Sequence, residues 1–204
     1  MPVRHLLLDA DGVLQRPRSG WDERLAGLLD GRGREFLERA WVEERPALEG
    51  RGDFLDALGG VLAEFGVEAD AESVHRAVWR DIETSEASLA LVRAARSAGY
   101  GVHLATNQER HRAAHMRTVL GFDDLFDVSC YSHELGHAKP APAYFEAALH
   151  RIGIGPEEAL FVDDRADNVA AARGVGLHGV HWHLDEGHDA LYAALAAHGV
   201  ELSI

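Results

Sequence analysis

The strongest constraint on how this chain can fold is an alternation that runs from Glu86 almost to its end, in which each helical pattern leads into a short apolar run. A helix over Glu86–Ala98 ends at Gly99 and feeds the apolar run Tyr100–Ala105. Then His111–Leu120 is helical, Phe126–Cys130 strand-like, Pro142–Ile152 helical, Ala159–Val162 a buried strand and Asn168–Arg173 helical. Leu177–Trp182 is a last strand and Asp189–His198 a final helix. Strands joined through helices pair in parallel, so the pattern predicts an α/β fold: a doubly wound parallel sheet with helices on both faces. Ligands of such a sheet gather outside the carboxyl ends of its strands.

The first strand, Val3–Leu8, stands apart from the others and ends in the glycine-bearing turn Asp9-Ala10-Asp11-Gly12. From Gln15 to about Ser85 no strand pattern is expected. Helical patterns cover Glu23–Leu29, Arg34–Glu44, Asp53–Phe65 and Ala71–Ile82, separated by Gly31–Gly33, Gly50–Gly52 and Gly66, with Pro46 stopping the second. This predicts an all-helical insertion over residues 15–85, set into a core of residues 1–14 and 86–204. The 204 residues, 47% of them hydrophobic, suffice for one such core and a modest insert but not for two full-sized domains.

Lys and Arg total 20 against 34 Asp and Glu, a formal charge of −14, which leaves no basic face to track a nucleic acid or an anionic membrane. Small molecules are the expected partners. The single cysteine, Cys130, suits a reducing compartment, and the apolar run Leu6–Leu8 is too short for a leader or a span, so a cytoplasmic protein is expected.

Unusual polar residues fall at four strand ends. Asp9 and Asp11, two apart, point to the same side; Thr106 and Asn107 end the second core strand, Lys139 follows the third, and Asp163 and Asp164 end the fourth. A carboxylate can attack phosphorus and divide a hard hydrolysis into two displacements, which suits Asp9. Asp11 suits the general acid that protonates the departing alkoxide and the base that then activates water. Gly12 lets the backbone turn sharply enough to bring Asp11 over the phosphoryl group. Facing carboxylates need a cation among them, and an all-oxygen set of Asp9, Asp11, Asp163 and Asp164 suits Mg²⁺. Lys139, the only lysine in the chain, would hold the phosphoryl oxygens together with Thr106 and Asn107.

These residues, as Leu8-Asp9-Ala10-Asp11-Gly12-Val13-Leu14, Ala105-Thr106-Asn107, Ala138-Lys139-Pro140 and Phe161-Val162-Asp163-Asp164-Arg165, resemble the four motifs of the haloacid dehalogenase-like superfamily. The resemblance spans nearly the whole chain. It implies a Rossmann-like core, an aspartyl-phosphate intermediate, Mg²⁺ dependence and a helical cap inserted after the first motif. It is closest to the phosphatase branch that includes sugar-phosphate phosphatases and the phosphatase-like domains of epoxide hydrolases, so the expected substrates are small, sugar-phosphate-like monoesters. Members that remove halide lack the second aspartate of the first motif, so Asp11 favours phosphoryl transfer. A phosphonatase would need a cap lysine, and residues 15–85 contain none.

Within the cap, Arg45–Asp53 is expected to face the site, with Trp21, Glu49 and Arg51 contacting the leaving group. Asp167 and Asn168 are expected to support the site, and Arg165 to meet either the phosphate or a neighbouring carboxylate. The alternatives are a phosphomutase, revealed by a sugar bisphosphate product, a receiver-like domain with a long-lived phosphoaspartate, and a phosphate-binding relative without catalysis.

Overall fold

Leu6, Leu7 and Leu8 are all buried and lie on alternate faces of one strand, so the strand must be covered on both sides. In the structure, a computed structural model that describes residues 2–18, Leu25, Leu29 and residues 31–202, this strand is β1 (His5–Leu8) at the centre of a five-stranded sheet. Its neighbours are β4 (Gly101–Thr106) and β6 (Ala159–Asp163), with β5 (Val128–Tyr131) and β7 (His178–His181) at the edges, giving the order β5-β4-β1-β6-β7. Every pair in it is parallel. One face packs Leu6, Leu8, Leu104 and Val162, and the other packs Leu7, Ala105 and Phe161 against Tyr144 and Phe145. The doubly wound α/β sheet read from the sequence is the fold observed.

In the chain, the insert lies between β1 and the helix that begins at Glu86. Among the described residues its named helices are α1 (Gly33–Leu48), α2 (Phe54–Glu64) and α3 (Ala71–Val78), which close around Phe36, Phe54, Leu58 and Trp79 as a separate apolar cluster. Asp53 and Asp70 cap α2 and α3 by accepting main-chain N–H bonds from Leu55 and Ser73.

Three expectations for this region are corrected. Residues 15–85 are not strand-free, because β2 (Gln15–Pro17) pairs antiparallel with β3 (Ile82–Thr84) at the base of the insert. Each strand is only three residues long, too short to carry a period. Pro46 does not stop α1, which continues to Leu48; the proline sits in the last turn, where few hydrogen bonds remain to be lost. The third helix ends at Val78, not Ile82, because Ile82 is taken up in β3. The expected helix Glu23–Leu29 and the candidate Trp21 lie outside the described residues, Leu25 and Leu29 excepted.

The rest of the alternation follows: α4 (Glu86–Ser97) before β4, α5 (Arg110–Thr118) and the short α6 (Phe122–Leu125) after it. The short α7 (Ser132–Leu135) and α8 (Pro142–Ile152) follow β5, α9 (Ala166–Val175) lies between β6 and β7, and α10 (His188–Ala197) comes last. The first turn of α5 joins core to insert. Glu109 caps it by accepting from the N–H groups of His111 and Arg112, and the same buried carboxylate bonds His75 of α3 at 2.9 Å. Beside it, His111 and Arg110 both hold Asp53. Gly50, at φ +73, presses against the His133 carbonyl so closely that a Cβ would sit 2.3 Å from the oxygen. No helix among the described residues is long and apolar enough to cross a membrane.

Candidate active site

Parallel strands deliver their next residues to one edge of the sheet, and three strand ends and a loop meet there. Asp9 follows β1, Thr106 ends β4 and Asp163 ends β6, all three buried. Lys139, on the loop between α7 and α8, brings its Nζ to 2.8 Å from Asp9 Oδ1 and 2.6 Å from Asp163 Oδ2, and donates to the Ala105 carbonyl at 2.9 Å. A buried ammonium is stable only where such partners replace its water, and here two carboxylates hold the lysine charged, raising its pKa against the opposing effect of burial.

Asp163 is fully engaged. Asn168 donates to both of its oxygens at 3.0 Å, and the Arg165 N–H donates to Oδ1 at 2.8 Å. Asn168 therefore supports the site as the sequence suggests. Asp167 instead pairs at the surface with the Arg165 guanidinium, so Arg165 meets a neighbouring carboxylate while its side chain lines the cavity rim.

Asp9, Asp163 and Asp164 each offer an oxygen within 4.8 Å of the others, an all-carboxylate set for a hard cation. Burial, followed by the neighbouring carboxylates, pushes the Asp9 carboxyl up to about 8 against the pull of Lys139, and burial and Asp163 raise Asp164 as well. Carboxyls driven toward neutrality by burial and by one another are the groups a divalent cation would return to the ionised state. Asp11 is outside this set. Arg112 of α5 grips it with two 2.7 Å bonds, and the amides of Gln15 and Gln108 add bonds of 3.0 and 2.9 Å. Burial works to raise the Asp11 carboxyl, but Arg112 and these bonds outweigh it and hold the group below the usual carboxylate range. Gly12 makes the approach possible: at φ +75 it turns the chain, and a Cβ there would lie 2.6 Å from Asp164 Oδ2.

The Asn107 amide is committed to the Lys139 main chain, donating to its carbonyl at 2.9 Å and accepting from its N–H at 2.8 Å. It thus steadies the lysine loop. Above these groups opens a cavity of about 850 Å³, with the strand ends as its floor and the insert as its roof.

The model of the haloacid dehalogenase-like hydrolase family matches residues 3–176 of this chain. The chain belongs to that family. A phosphatase from Mycobacterium tuberculosis is 29% identical over 196 residues, covering 87% of this chain and 86% of its own length. A pyrophosphatase from Halalkalibacterium halodurans is 24% identical over 143 residues, covering 65% of this chain and 66% of its own. Among solved structures, a family enzyme from Bacteroides thetaiotaomicron superposes with a TM-score of 0.80 at 21% identity, over 94% of this chain and 99% of that one. Another structure of that enzyme holds magnesium and inorganic phosphate.

Of the expected cap residues, Glu49 lines the cavity, while Arg51 is exposed and pairs with Glu49. The sequence reading missed Arg112, Gln108, Gln15, Glu44 and Trp41. Only Gln108, beside Thr106-Asn107, had a local signal. Glu44 is a buried carboxyl in the roof, pushed up to about 7 by burial and by the charge of Glu109, with Arg112 and a Trp79 hydrogen bond opposing.

Proposed function

We propose that this chain is a Mg²⁺-dependent phosphatase that cleaves small phosphomonoesters through an aspartyl-phosphate, with residues 15–85 as a cap over a core of residues 1–14 and 86–204. The observation that carries this reading is the Lys139 ammonium between Asp9 and Asp163, with Asp164 beside them. A buried nucleophilic carboxylate, a fixed cation and a set of oxygen ligands at one cavity floor suit displacement at phosphorus. The Mycobacterium phosphatase and the magnesium and phosphate in the Bacteroides enzyme support the same assignment.

In this reading an Asp9 oxygen attacks phosphorus as the P–O bond to the leaving group breaks. Lys139 and Thr106 hold the phosphoryl oxygens, with Asn107 beside them steadying the Lys139 loop. Asp11 gives its proton to the departing alkoxide, then takes one from the water that cleaves the Asp9 acyl phosphate and releases inorganic phosphate. Mg²⁺ held by Asp9 and Asp164, with Asp163 behind them, would neutralise charge on the transferring group. Because Arg112 holds Asp11 ionised, the Asp11 carboxylate must loosen that grip to take up a proton. The single buried Cys130, whose thiol burial pushes up to about 12, suits a reducing, cytoplasmic setting.

Phosphate release from sugar phosphates, nucleotides and p-nitrophenyl phosphate, measured with Mg²⁺ and with EDTA, tests the reading. Metal-dependent release that disappears in Asp9→Asn is expected. Equal release by the variant overturns the nucleophile assignment, and release unaffected by EDTA overturns the metal.

A further inference from the structure

The floor of the cavity suits a phosphoryl group, but the roof determines what may be attached to it. On α1, residues 37, 41, 44, 45 and 48 fall on one helical face and line the cavity. Three of these are Leu37, Trp41 and Leu48. Val78 and Trp79 from the end of α3 and Pro17 from β2 complete the wall. Trp41 is 51% exposed and is one of the residues that line the cavity. A tryptophan held half open beside a catalytic floor is an apolar surface placed where a ligand would cover it.

The roof's polar groups are few and mostly occupied. Glu44 is buried, is held close to neutral and bonds Trp79; Glu49 is paired with Arg51. Arg45 is exposed at the rim. Among the described residues, the insert contributes no Ser, Thr, Asn, Gln, Tyr or His to the cavity lining. A sugar seated here would lose water from several hydroxyls and meet on the roof only Arg45, the Trp41 indole N–H and groups already engaged, Glu44 with Trp79 and Glu49 with Arg51, and each unmade bond weakens binding. A hydrocarbon body loses nothing by leaving water and covers Trp41. The volume of about 850 Å³ leaves ample room beyond a phosphoryl group.

We propose that the leaving-group pocket takes the phosphomonoester of a bulky apolar alcohol, in place of the sugar-like ester expected from sequence, with Trp41 as the residue that selects it. This rests on the phosphatase reading for its chemistry, whereas the shape and polarity of the pocket do not depend on it.

Two measurements on the full chain with Mg²⁺ test it, using wild type, Trp41→Ala and Trp41→Phe. The first compares kcat/KM for n-octyl phosphate and glucose-6-phosphate, both esters of poor alkoxide leaving groups. A preference for the octyl ester of about tenfold or more is expected, reduced about tenfold in Trp41→Ala and largely restored in Trp41→Phe. The second measures binding of n-octylphosphonate and methylphosphonate, which cannot be hydrolysed, by calorimetry. Octylphosphonate should bind at least about tenfold tighter, with the advantage lost in Trp41→Ala.

Glucose-6-phosphate turned over as well as the octyl ester, or octylphosphonate bound no tighter than methylphosphonate, overturns the proposal. Trp41-dependent binding of octylphosphonate by a protein that hydrolyses no ester supports the pocket and overturns the phosphatase reading, so the two fail separately.

Discussion

At the floor of the cavity Asp9, Lys139 and Asp163 are buried and bonded to one another, whereas on the roof Trp41 stands half exposed beside Leu48 and Val78 with few polar neighbours. The floor is held by directional bonds that fix atoms to tenths of an ångström, and a change to one partner strands the others. The roof is held by area, which tolerates exchange. Chemistry on the floor should therefore fail steeply under substitution, and selectivity on the roof should vary by degrees.

Asp9→Asn is the largest expected effect. Removing the proposed nucleophile should lower phosphate release by roughly 10³-fold or more, while the thermal transition stays within a few degrees of wild type. An amide keeps the shape and removes one of several crowded carboxylates. If activity and fold are lost together, the floor is a structural keystone and its contrast with the roof disappears.

The next effect should come from the roof's buried tryptophan. Trp79 is 5% exposed and packs edge-on against Phe54 and flat against the His75 ring, so it belongs to the insert's core as much as to the cavity. Trp79→Ala should cost about 3–5 kcal/mol in a urea titration. A loss near zero would mean the insert's core is not built around it.

This contrast also explains which parts were legible in the sequence. Asp9, Asp11, Asp163 and Asp164 are marked locally as polar residues where apolar runs stop, and Lys139 as the chain's only lysine, set before a proline; the parallel sheet brings these places together. The sheet itself was readable because its strands are short, mostly apolar runs that alternate with helical patterns. Gln15 and Arg112 were not readable. Gln15 reaches Asp11 from a three-residue strand whose partner, Ile82–Thr84, lies far along the chain. Arg112 looks like an ordinary helical arginine until α5 is docked over the first strand's turn. On α1 the sequence shows apolar residues on two faces, and only the packing of Phe36, Leu37 and Ala40 into the insert reveals that Trp41 is left for the cavity. The expected Arg51 is not among the lining residues, because the insert's exposed turn starts at Gly50.

Glu44 sharpens the comparison, since it is the one roof carboxyl buried as deeply as the floor's. Its pKa rises from 4.5 to about 7 on folding. At pH below 4.5 both folded and unfolded chains carry the proton; between 4.5 and about 7 only the folded chain does, so stability falls as pH rises through that window and stays lower above it. The full penalty is about 3 kcal/mol. Glu44→Gln, which cannot ionise, should gain about 2–3 kcal/mol on wild type between about pH 5 and about pH 8, measured by urea titration at both values. A difference independent of pH would mean that Arg112 holds Glu44 ionised, and the roof would then carry a fixed charge like the floor.

The smallest effect should be the stability of Trp41→Ala. Truncating a tryptophan usually removes much buried area, yet Trp41 leaves 51% of its surface open and contributes to none of the insert's buried core. The variant should lose less than about 1 kcal/mol, against the several expected for Trp79→Ala one helix away. The size of this gap bears on function. A half-exposed residue that lines the cavity and contributes little to folding is one that a ligand would cover, as the proposal requires. Urea titrations of the two variants in parallel decide the matter. If Trp41→Ala proves as destabilising as Trp79→Ala, both tryptophans are packing residues and the roof is simply the outside of a core.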